Sequence, residues 1–106
     1  MATLSTHVLD TGAGRPATGV TVVLESAAGE VLGDGRTDAD GRVGSLGDDL
    51  ADGDYRIRFD TGGWFADAGV DAFYPEVTVA FTIAADEHFH VPLLLSRYGY
   101  STYRGS

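Results

Sequence analysis

Histidine and arginine are the groups in this chain best suited to move protons and hold an oxyanion. The chain has no Cys, and all 7 residues counted as Lys+Arg are Arg. Thiol and amine nucleophiles are therefore unavailable. The 3 histidines are His7, His88 and His90. His88 and His90 are separated by one residue, which on a strand aims both side chains at one face. On the same period His7 shares a face with Ser5 and Leu9. Unperturbed imidazole titrates near ~6.5, so it can take and return a proton at neutral pH. Hydrolysis of an amide-like bond needs a base to activate water, donors for the developing oxyanion and a group that holds the substrate. Two histidines and an arginine suffice. Arg42 ends the segment Thr37-Asp38-Ala39-Asp40-Gly41-Arg42, where it follows a turn. Its planar fork suits imide and carboxylate oxygens.

Each of these residues has a plainer reading. Three histidines resemble a zinc set, but no carboxylate stands at a clear partner spacing. Histidines are also commonly surface groups or satisfied core groups. An isolated arginine after a turn is usually a solvated loop residue, and Arg56 and Arg58 fit the polar face of a strand better still. Arg15 and Arg36 carry no signal. Spacing alone leaves acid–base catalysis, metal binding and structural histidines all open.

The elements that must position these groups are strands. Val77, Val79, Phe81 and Ile83 alternate with polar or small residues, as do Tyr55, Ile57 and Phe59. Val20, Val22 and Leu24 form a third run, and Phe89, Val91, Leu93 and Leu95 a fourth. Period-two alternation of this kind predicts strands with one face on a core. Residues 3–9, 30–36 and 98–103 add further candidates. Turn signals lie at 11–14, 28–29, 40–41 and 52–54, and the Asp-Gly pairs among them predict tight hairpins. Residues 62–72 are the one helical candidate, kept short by Gly69. The pattern predicts an all-β sandwich of about seven or eight strands. Leu94 falls on the face opposite Leu93 and Leu95. A strand apolar on both faces needs cover on both, which predicts a homo-oligomer.

Composition narrows the function classes. The 106 residues fit a single domain spanning 1–106. Sixteen acidic residues against 7 basic ones give a net charge of −9, which disfavours nucleic acid and anionic membranes as partners. No apolar run approaches the roughly 20 residues of a membrane span. The first residues lack the basic and apolar regions of a signal peptide, so the expected location is cytoplasmic.

Two stretches carry a family resemblance. One is Leu4-Ser5-Thr6-His7-Val8-Leu9-Asp10 followed by Gly14-Arg15-Pro16-Ala17. The other is His88-Phe89-His90-Val91-Pro92-Leu93-Leu94-Leu95-Ser96, continuing to Tyr103-Arg104-Gly105-Ser106. Between them, Thr37 to Arg42, Gly53-Asp54-Tyr55-Arg56 and Phe73-Tyr74-Pro75-Glu76 agree as well. These segments resemble the transthyretin-related 5-hydroxyisourate hydrolases over nearly the whole chain. The terminal Tyr-Arg-Gly-Ser is the most specific piece and sets those hydrolases apart from the hormone carriers of the same fold.

The resemblance implies a transthyretin-like (prealbumin-like) β-sandwich of two four-stranded sheets with one short helix. It implies a homotetramer, a dimer of dimers with sites in the channel between dimers. It also implies ring-opening hydrolysis of 5-hydroxyisourate, a small-molecule substrate of urate breakdown, with no cofactor and no metal. Carried over by position, the catalytic residues fall on His7, Arg42, His90 and Ser106, and Tyr103 contacts substrate. His88 and Arg104 are accessory candidates. At physiological salt the screening length is about 8 Å, so Arg42 and Arg104 are expected to make the channel locally positive despite the acidic chain. The alternative is a non-catalytic module of the same fold that binds or carries a small ligand. It would have no use for His7, His90 or the terminal tetrapeptide.

Overall fold

Alternating apolar residues build two sheets that bury their odd or even positions against each other. The computed structural model describes residues 1–105. Nine strands and one helix follow in the order β1 (Ala2–Asp10), β2 (Arg15–Pro16), β3 (Thr21–Ser26), β4 (Val31–Arg36), β5 (Arg42–Leu50), β6 (Gly53–Phe59), α1 (Thr61–Asp67), β7 (Val77–Ile83), β8 (His88–Ser96) and β9 (Gly99–Thr102). The first sheet runs β2-β1-β8-β9, and β5 also pairs with β1. The second runs β4-β3-β6-β7. The eight longer strands thus divide four and four, as expected, and the two-residue β2 is an addition to the first sheet. Leu4, Val8 and Leu93 of the first sheet and Val22, Ile57 and Phe59 of the second are fully buried in the shared core.

One ladder decides where the chemistry lies. β1 and β8 are parallel, with Thr3 opposite His88, Ser5 opposite His90 and His7 opposite Pro92. Ala2, Leu4, Thr6 and Val8 point to the core, while the odd-numbered residues of β1 face outward. On β8 the core positions are Phe89, Val91, Leu93 and Leu95. His88 and His90 are therefore left on the outer face, beside Thr3 and Ser5. Thr6 is the one polar residue of β1 on the core side, and its hydroxyl donates to the Val91 carbonyl at 2.7 Å. Leu94, on the outer face, is only half-buried in the single chain.

The structure corrects three expectations. β5 was not anticipated from the sequence, because its buried positions, Val43, Leu46 and Leu50, do not alternate. Its pairing with β1 shifts register between Ala2 and Leu4 and again between Leu4 and Thr6. Such irregularities insert residues and break the period of two. The turns at Asp40-Gly41 and Asp52-Gly53 do not close hairpins. Each carries the chain from one sheet to the other, since β5 pairs with β1 whereas β4 and β6 pair with β3. The helix ends at Asp67 rather than at residue 72. Gly69 has φ of 72°, a left-handed conformation that stops the helix. Asp60 caps its start, accepting a hydrogen bond from Gly63 N at 3.2 Å.

Candidate active site

The turn before β5 is built to present Arg42. Asp38 accepts hydrogen bonds from the backbone N–H groups of Asp40 at 2.9 Å and Arg42 at 3.0 Å. These two donors, followed by the charges of Arg42 and His7, hold the Asp38 carboxyl below its ordinary value. Gly41 has φ of 76°, and a Cβ there would lie 2.5 Å from the Val8 carbonyl oxygen. Only glycine makes this turn so close to β1. Arg42 then enters β5 directly opposite His7.

His7, Arg42, His88 and His90 converge on the outer face of the first sheet. A cleft of about 440 Å³ is lined by Ser5, Thr6, Arg42, Gly44, His88 and His90. The His7 ring is not among the lining groups; its centroid lies 6.5 Å from that of His90. Ser5 Oγ sits between two imidazoles, 2.8 Å from His88 Nε2 and 2.7 Å from His90 Nδ1. His88 Nδ1 is in turn 2.6 Å from Thr3 Oγ1. His90 Nε2 has no hydrogen-bond partner among the described residues. Burial lowers the pKa of His90, and the nearby charges of His7, Arg42 and His88 lower it further. The Ser5 contact opposes this shift but does not reverse it. His90 is thus held neutral near pH 7, the state in which imidazole accepts a proton.

Not every expected site residue joins this cluster. Tyr103 and Arg104 line a different cleft of about 320 Å³, beside Phe81, Phe89 and Val91. Arg104 forms an ion pair with Glu87 and stacks 4.5 Å over the Phe89 ring. It therefore does not add positive charge to the histidine cleft of its own chain. Ser106 lies outside the described residues. Gly105 does reach the cluster, donating from its backbone N–H to the His90 carbonyl at 2.8 Å. As for metal, no group of three or more His, Cys, Asp or Glu among the described residues is arranged to hold an ion.

Sequence reasoning did not assign roles to Asp38, Thr3, Ser5 or Gly105. The shared face of Ser5 and His7 was visible. The parallel pairing that sets Ser5 beside His90 was not, because strand partners far apart in sequence leave no local mark.

The two sheets, the short helix and the outward imidazoles together define a transthyretin-like sandwich with a polar His/Arg site on one sheet. A model of the HIUase/Transthyretin family matches residues 4–105. The chain belongs to that family. It is 51% identical over 109 residues to the 5-hydroxyisourate hydrolase of Salmonella typhimurium, covering 97% of this chain and 80% of that protein. Among solved structures it is similar to Klebsiella pneumoniae 5-hydroxyisourate hydrolase, with a TM-score of 0.92 and 44% identity over 98% of this chain and 99% of that one. Sea bream transthyretin in complex with thyroxine also shares the fold, with a TM-score of 0.88 and 29% identity over 96% of this chain and 93% of that one.

Proposed function

We propose that this protein is a 5-hydroxyisourate hydrolase of purine catabolism. It opens the ring of its substrate by hydrolysis to 2-oxo-4-hydroxy-4-carboxy-5-ureidoimidazoline. The observation that carries this reading is the placing of Arg42 and His90 in one polar cleft with the His7 ring 6.5 Å from that of His90, in a chain similar to named hydrolases along nearly its full length. A cleft lined by imidazole, guanidinium and hydroxyl groups is poorly matched to an apolar carried ligand, which disfavours the carrier alternative.

Neutral imidazole takes a proton from water, and the resulting hydroxide adds to a ring carbonyl. His90 fits this role, because it is held neutral and its Nε2 is free among the described residues. Arg42 holds the substrate and stabilises the tetrahedral oxyanion with its N–H fork. The carbon–nitrogen bond of the ring then breaks, and the imidazolium returns its proton to the leaving nitrogen. His7, its ring 6.5 Å from that of His90, binds the substrate and shares the proton transfers. No cofactor enters the reaction.

Tyr103 lies outside the cleft of its own chain, so its contact with substrate is supplied by a second copy. In the homotetramer we propose, copies face one another, which brings Tyr103 of one copy to the cleft of another and covers the half-exposed Leu94. Size-exclusion chromatography with light scattering tests the assembly: a tetramer mass is expected, and a monomer at micromolar concentration would remove it. The activity is tested by the ultraviolet decay of freshly made 5-hydroxyisourate. Wild type should accelerate the decay, and His7→Ala and His90→Ala should each lose about 10²–10⁴ of that rate. Decay at the uncatalysed rate with wild-type protein would refute the assignment.

A further inference from the structure

Three side chains stand in line behind His90. Thr3 Oγ1 meets His88 Nδ1, His88 Nε2 meets Ser5 Oγ, and Ser5 Oγ meets His90 Nδ1, at 2.6, 2.8 and 2.7 Å. Proton counting restricts the line to few states. A hydroxyl has one proton to donate, and a neutral imidazole has one N–H. Ser5 therefore cannot donate to both rings.

Two continuous arrangements remain. In the first, Ser5 donates to His88 Nε2, His88 carries its proton on Nδ1 and donates to Thr3, and His90 donates from Nδ1 to Ser5. His90 Nε2 is then bare. In the second, every bond is reversed: Thr3 donates to His88 Nδ1, His88 Nε2 donates to Ser5, and Ser5 donates to His90 Nδ1. His90 then carries its proton on Nε2 and is useless as a base there. The cleft distinguishes the two. Ser5 already engages Nδ1 of His90, so Nε2 is the nitrogen left to present a lone pair to Arg42, the cation that lines the same cleft.

We propose that Ser5 and His88, backed by Thr3, are positioning residues that keep neutral His90 protonated on Nδ1, with Nε2 bare toward the cleft. The use of that nitrogen as the reaction's base rests on the hydrolase reading above; the tautomer itself does not. The register of β1 on β8 is what builds the line, since Thr3 and Ser5 are the direct partners of His88 and His90. His88 touches no substrate in this scheme. It acts by absorbing the one proton that Ser5 would otherwise turn toward His90.

Long-range nitrogen–proton correlation spectra of the 15N-labelled full chain, recorded well above the ordinary imidazole range near ~6.5, read the tautomer directly. Wild-type His90 should show the Nδ1–H form. His88→Phe keeps a ring but accepts nothing, so Ser5 should turn to His90 Nδ1 and drive it to the Nε2–H form. Ser5→Ala should also release the Nδ1–H form. In both variants kcat should fall by about 10²-fold with KM little changed, a part of what a misplaced imidazole proton costs in a catalytic triad. Ser5→Thr, which keeps the hydroxyl, should restore both readouts. Ser5 is nearly buried, so the exposed His88→Phe keeps the test available if Ser5→Ala does not fold. An Nε2–H form in the wild type, or a tautomer unmoved in His88→Phe, would overturn the relay. Tautomers that behave as stated in a protein without catalysis would uphold the relay and refute the hydrolase reading instead.

Discussion

His7 and Arg42 stand opposite one another as register partners in the antiparallel β1–β5 pair. The backbone ladder fixes the root of the Arg42 side chain beside the imidazoles. None of the ion pairs among the described residues includes its guanidinium, so its fork is open to an incoming oxygen. By contrast, Arg58 is held by Glu25 at 3.0 Å and Arg104 by Glu87.

Arg42 is therefore the cation whose loss should be felt most in the reaction. Arg42→Met should reduce kcat/KM by about 10²–10³, the range for removing one oxyanion donor. Arg42→Lys should recover little of it, because an ammonium lacks the planar fork that engages two oxygens at once. Initial rates of substrate decay over a concentration series measure both. A fully active Arg42→Lys would show that only charge matters at this position.

The pH profile follows from the environment of His90. Burial, His7, Arg42 and His88 all depress its pKa. The proposed base is competent only when neutral, so activity should rise with pH through a midpoint below 6.5 and be level by neutral pH. Removing the charge in Arg42→Met should move that midpoint upward, since one of the depressing charges is gone. The shift should be partial, because burial is the largest cause and remains. A midpoint that does not move would place Arg42 too far from His90 to influence it.

Much of the fold was legible because its strands obey a two-residue period. Tyr55, Ile57 and Phe59 bury one face of β6, and Val77, Val79 and Ile83 one face of β7, both from alternation alone. β5 was hidden because its bulges break that period and Gly44, Gly47, Asp48 and Asp49 dilute its apolar residues. The site was legible in part. His88 and His90 share a face by spacing, and Arg42 follows a turn. Their meeting with His7 depends on β1 lying between β5 and β8, which is a tertiary choice that local patterns do not encode. The same holds for Arg104, where neither the Glu87 pair nor the stacking on Phe89 could be read from neighbours in sequence.

Asp38 links the turn to stability in acid. Its folded pKa lies below the ordinary value of 3.8, so its contribution is fully present above that value. It is lost as pH falls through the depressed folded value. Asp38→Asn keeps an acceptor for the backbone of Asp40 and Arg42 but removes the titration. Its melting temperature should therefore fall less steeply than that of wild type below pH ~4. Asp38→Ala removes the acceptor altogether, and its kcat/KM should drop because Arg42 loses its anchored start. Thermal melts across acid pH, paired with rates at neutral pH, separate the two effects. Identical acid limbs in wild type and Asp38→Asn would rule out this carboxylate as a source of the acid response.

Gly105 offers a way to displace His90 without replacing it. A Cβ at position 105 would lie 2.6 Å from His90 Cδ2 and 3.3 Å from both His90 Cγ and Pro92 Cγ. The backbone cannot easily retreat, because Gly105 N–H is bonded to the His90 carbonyl. The partly exposed ring has room to swing and would yield first. Gly105→Ala should therefore leave the melting temperature within about 4 °C of wild type, the change expected for less than ~1 kcal/mol. Its kcat should nevertheless fall by as much as about 10²-fold, the penalty for moving a catalytic group by roughly 1 Å. The Ser5–His90 contact would break together with the ring position, so the His90 tautomer should also change in the same variant. Normal turnover in Gly105→Ala would mean that the ring tolerates displacement, and that its placement by Ser5 and Gly105 does not limit the reaction.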